Sequence, residues 1–295
     1  MDQGAPSWFR EAVAAPREDR VVEVEGCPIH YLRWGDPVKP ALVLVHGGAA
    51  HAHWWTSIAP WLARSYHVVA LDLSGHGDSG HRERYGEVWL REILSVAADA
   101  GIREPPVVVG HSMGGLITIS TAALHGDRLA GAVIVDAPVR RQDPESAQRD
   151  RVRAFRNPKL YPDLATAMAH FRLIPEQPCE NGWLVDYISS QSLRSTPQGW
   201  TWKFDPRVFS QPVPPMRDYL ASVRIRVALF RGELSAIVPA ETGEYMYELL
   251  GRNSPLVEIP AAHHHLILDQ PLAFVAALRA LLADWEHSVP RRRPR

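Results

Sequence analysis

Between residues 108 and 116 the chain reads VVGHSMGGL, and within it Gly110, His111, Ser112, Met113 and Gly114 form the pattern Gly-x-Ser-x-Gly. A β-branched run precedes the pattern and a helix-like run follows it, which puts Ser112 on a strand-to-helix turn. A turn that tight strains the serine backbone and needs small neighbours on both sides. It lifts the hydroxyl clear of the sheet and aims the first N–H groups of the helix at a reacting oxygen. That is the setting of a nucleophile. Upstream, HGG at residues 46–48 follows another β-branched run. Paired glycines let the backbone approach a ligand, so the amides of Gly48 and Met113 are candidates to bind a developing oxyanion. A general base is still required. PLVEIPAAHHHLILDQP supplies His263, His264 and His265 in one irregular turn, where neighbouring side chains diverge and only one is aimed at Ser112. His46, His51 and His53 share no helix face and lack a cysteine or carboxylate at ligand spacing, so no metal is expected there. His46 is expected to brace the glycine loop.

These residues depend on a framework that the sequence spells out. Short aliphatic runs, ALVLVH (41–46), YHVVALDL (66–73), PPVVVG (105–110), AGAVIVDA (130–137), RVALFR (226–231) and PLVEIP (255–260), read as buried parallel strands. VVEVEG and CPIHYLRW alternate around Gly26 and predict an antiparallel hairpin at a sheet edge. Helical spacing near 85–100, 113–125, 240–251 and 271–287, with Pro271 in a first turn, completes an α/β, doubly wound and mostly parallel sheet. About ninety residues separate Asp136 from Arg226, too many for a simple crossover. We expect residues 1–138 and 222–288 to form the core, 139–221 an inserted helical cap over the carboxyl edge of the sheet, and 289–295 a frayed basic tail. Trp54, Trp55, Trp183, Trp200 and Trp202 suggest an aromatic pocket or core packing.

Composition narrows the partners. A formal net charge of -1 gives no field to hold nucleic acid or an anionic membrane. Cys27 and Cys179 are the only cysteines and imply neither a disulfide framework nor a metal clip. With no apolar signal segment and no apolar run of spanning length, a cytoplasmic protein without membrane insertion is expected.

Taken in order, HGG, DLSGHGDSG (72–80), GHSMGG, RGELSAIVP and IPAAHHHLILDQP resemble the motifs of the α/β-hydrolase superfamily, in its capped, serine esterase- and lipase-like branch. The resemblance covers nearly the whole chain. Members of that superfamily commonly read I-P-x-x-G-H, which places the base at His264 and sets His263 where glycine is usual. Haloalkane dehalogenases and epoxide hydrolases of this fold carry a carboxylate at the elbow, whereas this chain carries Ser112. The resemblance implies a cofactor-free hydrolase of a small-molecule carboxylic ester or lactone, and the tryptophans add the expectation that the substrate is apolar or aromatic. It also leaves room for carbon–carbon bond hydrolysis, for perhydrolysis, or for a ligand-binding member with vestigial catalysis.

One element is out of place. Related chains usually follow the penultimate strand with G-x-x-D-x-x-x-P, and here the aspartate position holds Ser235. A serine hydroxyl brings no negative charge to an imidazolium. Two carboxylates compete for the role: Asp136, at the end of the strand after the nucleophile helix, and Glu233, two residues short of the usual position. The absence of any acid is the third alternative.

Overall fold

Hydrophobic alternation and β-branched runs become strands largely where expected. The computed structural model describes residues 4–141, 152, 155 and 159–288. The expected tail 289–295 and most of the charged stretch 142–158 lie outside the described residues. Glu18–Val24 (β1) and Cys27–Trp34 (β2) pair as the antiparallel hairpin. Ala41–Val45 (β3), His67–Leu71 (β4), Val107–His111 (β5) and Gly131–Val135 (β6) follow. After two short strands, Leu193–Thr196 (β7) and Gly199–Trp202 (β8), the large sheet resumes with Arg226–Gly232 (β9) and Leu256–Ile259 (β10). Its order is β1-β2-β4-β3-β5-β6-β9-β10, parallel from β4 to β10. Every residue of β4 and β6 is buried, which explains why both are apolar apart from His67.

Side-chain alternation divides the core between the two faces. Leu42 and Leu44 join Phe274 and Leu278 on one side, whereas Val43 and Val45 join Ile93 and Val96 on the other. The helices involved are Val88–Asp99 and, with Pro271 in its first turn, Pro271–His287. No helix among the described residues is long and apolar enough to cross a membrane.

The segment expected as a helical cap contains strands as well as helices. Between β6 and β9 the helices Leu164–Ala169, Gly182–Gln191 and Met216–Ser222 are joined by the separate antiparallel hairpin β7–β8. Its two-residue turn is Pro197 and Gln198, and Gly199, which opens β8, adopts φ +128, a conformation few other residues reach. The flanking strands carry the turn signal and the aromatic Trp200 and Trp202, so the hairpin was written in the sequence but masked by the longer helical segments beside it.

A buried ion pair fixes the loops beneath the site. Asp72 accepts from His30 Nδ1 at 2.7 Å, from the Asp78 amide at 2.8 Å and from the Ala52 amide at 2.6 Å. The other His30 nitrogen meets Asp19 at 2.9 Å. Burial opposes a charge on His30, but Asp72 and Asp19 outweigh it and push its pKa up to about 9. The folded pKa is raised above the unfolded one, so the linked stability is complete below about pH 6.5 and is lost as pH rises through about 9, with an upper bound of about 3 kcal/mol. The melting-temperature difference between the native protein and His30→Gln should therefore shrink over that window. A difference that stays level would place the charge elsewhere.

Candidate active site

The end of β5 delivers Ser112 into a strained turn, with φ 54 and ψ -120. Its amide donates to the Val135 carbonyl at 2.8 Å, tying the turn to β6. The flanking glycines have steric causes: a Cβ on Gly110 would sit 2.3 Å from the Gly114 carbonyl oxygen, and one on Gly114 would sit 2.4 Å from that of His46. Met113 opens the helix Met113–Leu124, where the first amides have no carbonyl within the helix to bond. Gly48 and Met113 both border the cavity at Ser112.

His264 stands between two partners. Its Nε2 lies 3.0 Å from Ser112 Oγ and its Nδ1 lies 2.7 Å from Asp136 Oδ2. With Nδ1–H donated to the carboxylate, the Nε2 lone pair faces the serine hydroxyl. Asp136 is 1% exposed and also takes a positive φ, 46, at the end of β6. Its Oδ1 accepts from the Gly232 amide at 3.0 Å, and its Oδ2 accepts from Ser235 Oγ at 2.6 Å. Ser235 Oγ in turn accepts from the amides of Ile237 and Val238, at 3.2 and 3.1 Å. Its own proton is therefore directed at Asp136. The serine at the usual acid position is a donor to a carboxylate arriving from the neighbouring strand. Glu233 is exposed and turns away, accepting from the Ala261 amide at 2.8 Å.

The neighbours of His264 are held separately. His111, the residue before Ser112, donates Nε2–H to the His264 carbonyl at 2.9 Å, a role no sequence motif announced. Burial and the adjacent His264 push the His111 pKa down to about 3, so this donor is a neutral imidazole. The His263 amide donates to Asp269 at 2.7 Å, and the His265 amide donates to Gln177 Oε1 at 2.9 Å. Gln177 also donates to both Asp269 oxygens, at 3.0 and 2.9 Å, and Asn181 donates to the Leu268 carbonyl at 2.7 Å. Two residues of the insertion thus grip the loop that bears His264. His46 braces the glycine loop: Nδ1 donates to the Gly47 carbonyl at 2.7 Å, and Nε2 accepts from the Leu73 amide at 3.1 Å. His51 and His53 face the insertion, at 2.8 Å from Ser192 Oγ and 3.2 Å from the Tyr187 hydroxyl.

Among the described residues, two groups bring possible metal donors within 4.8 Å of one another: His111, His264 and His265, and His30, Asp72 and Asp78. In the first, both His264 nitrogens are occupied by Asp136 and Ser112. In the second, the His30 proton already neutralises Asp72. Neither donor set is open without dismantling these contacts.

Two cavities of about 270 and 490 Å³ meet at Ser112 and His264. Trp54 and Trp202 line the smaller one, while Trp55 is fully buried in the core and Trp183 packs edge-on against Trp8. Trp89 lines the larger one, and neither it nor Phe155, which touches both, was singled out by sequence motifs.

Residues 42–278 match the Alpha/beta hydrolase family. Esterase Rv0045c of Mycobacterium tuberculosis is 26% identical over 275 residues, covering 89% of each chain. A pimeloyl-[acyl-carrier protein] methyl ester esterase of Neisseria meningitidis is 28% identical over 257 residues, covering 83% of this chain and 93% of the relative. Among solved structures, E-2-(acetamidomethylene)succinate hydrolase superposes with a TM-score of 0.80 at 19% identity, over 91% of this chain and all of the other. A strained Ser112 between β5 and its helix, the strand order, and a match running from β3 into the last helix make the chain a member of the α/β-hydrolase family.

Proposed function

We propose that the protein is a serine hydrolase that cleaves a carboxylic ester through an acyl-enzyme intermediate. The observation that carries this is the continuous line Ser112 Oγ, His264, Asp136, with separations of 3.0 and 2.7 Å. Its similarity to the two esterases supports the bond type.

In this mechanism His264 Nε2 takes the Ser112 proton as Oγ attacks the ester carbon. The carbonyl electrons move onto oxygen, which the Gly48 and Met113 amides bind. Asp136, fixed on Nδ1, keeps the imidazole in the receptive tautomer and stabilises the imidazolium. Collapse of the tetrahedral intermediate expels the alcohol, which takes the proton from Nε2. Water then repeats the sequence against the acyl-serine, releasing the acid and restoring the Ser112 hydroxyl. A lactone follows the same steps, with alcohol and acid leaving as one molecule. The motive for a vestigial, ligand-binding protein was the serine at position 235, and Asp136 meets the need for charge from β6 instead.

A short ester mixed rapidly with the protein should release a burst of alcohol equal to the enzyme present, and an alkyl fluorophosphonate should add its mass at Ser112. No burst and no labelled Ser112 would sink the proposal. Ser235→Ala should lower kcat about tenfold, the value of one hydrogen bond to a charged group, with KM little changed. An equal change in KM would mean that Ser235 shapes the pocket rather than the carboxylate.

A further inference from the structure

The two cavities differ in a way the chemistry can use. The smaller mixes the aromatic Trp54, Trp202 and Phe204 with the polar side chains of Ser192, His170, Arg172 and His265, a larger polar share than the other cavity has. The larger is bordered by Met113, Leu116, Ile117, Ser120 and Leu124, spaced as one face of the nucleophile helix. At 1.5 Å per residue those positions span about 16 Å. Val208 and Met216 also border this space. Phe155 touches both cavities and stacks on Phe209, with centroids 4.1 Å apart and planes at 11°. Phe155 sits where the two spaces meet, backed by Phe209 on the side of the larger. Arg140 reaches the larger arm, and its Nη2 donates to the Ile237 carbonyl at 3.0 Å.

Deacylation decides which arm holds which half of the substrate. The acyl group stays bound to Ser112 through both half-reactions, whereas the space left by the alcohol must fill with the attacking water. Water settles where it finds several polar partners, and an apolar channel does not hold it. We propose that the long arm along the nucleophile helix is an acyl site for an unbranched, medium-chain fatty acyl group, and that the short arm accepts a small polar alcohol and then the hydrolytic water. This deepens the serine-hydrolase proposal and rests on it.

Two mirrored ester series test the assignment: methyl esters of acids from acetic to decanoic, and acetates of alcohols from methanol to decanol. Along the acyl series kcat/KM should climb about fourfold per methylene until the arm is full. Along the alcohol series it should change less than about twofold per methylene. A climb in the alcohol series, in both series or in neither would overturn the assignment. Ser120→Phe, which blocks the arm midway, should cut the ratio of decanoate to butyrate turnover at least tenfold, and an unchanged ratio would also overturn it. Calorimetry of sodium butyrate and sodium decanoate binding to Ser112→Ala separates the two proposals. Absence of a burst and of Ser112 labelling, with decanoate still bound far more tightly, would remove the hydrolase and keep the arm. Equal affinity for the two acids would remove the arm.

Discussion

Asparagine at position 136 should lower kcat by about three to four orders of magnitude on a short ester, whereas Glu233→Gln should stay within about twofold. Asp136 is buried, and three donors converge on it: the Gly232 amide, the Ser235 hydroxyl and His264 Nδ1. An asparagine keeps the shape but loses the charge that stabilises the imidazolium. Its amide can also present N–H to Nδ1, which turns the imidazole to the tautomer whose Nε2 carries a proton and cannot take one from Ser112. Glu233 accepts from the exposed Ala261 amide, away from His264. The measurement is kcat for both variants at neutral pH, with circular dichroism to show that each is folded. A collapse in Glu233→Gln alone would return the role to the turn after β9.

Ser112→Ala should be more severe still, with kcat down about a million-fold and no burst. The alanine leaves His264 and Asp136 in place but gives them nothing to activate. Groups that act as a unit lose their effect together, so Ser112→Ala combined with Asp136→Asn should be no slower than Ser112→Ala alone. A double variant slower by the product of the two single losses would show that Asp136 acts outside the serine pathway.

Local signals carried most of the framework. The aliphatic runs had one plausible reading as strands, because each is too short and too apolar for a surface helix and is bounded by turn residues. The elbow was legible for the same reason: strand, serine and helix are contiguous in the chain. The acid was not. The carboxyl ends of β6 and β9 are neighbours in the sheet, so Asp136 and a residue after β9 reach the same space, and sequence distance says nothing about which one does. Ser235 looked like a loss because its partner lies 99 positions away. A hydroxyl can donate or accept, and its role becomes defined only when the Ile237 and Val238 amides occupy its lone pairs. The three adjacent histidines were harder to rank from their type alone. Packing separates them: His264 faces Ser112, His265 is buried beside it, and His263 leans toward Asp269.

The grip of Gln177 on the His264 loop ties access to readiness. Gln177 holds the His265 amide and both Asp269 oxygens from the side of the insertion, and Asn181 holds the Leu268 carbonyl. If that segment swings outward to admit a molecule, these bonds break and the backbone that aims the imidazole slackens in the same motion. In that motion the insertion and the His264 loop would move together, leaving His111, Asp136 and Ser112 as the remaining holds on the base.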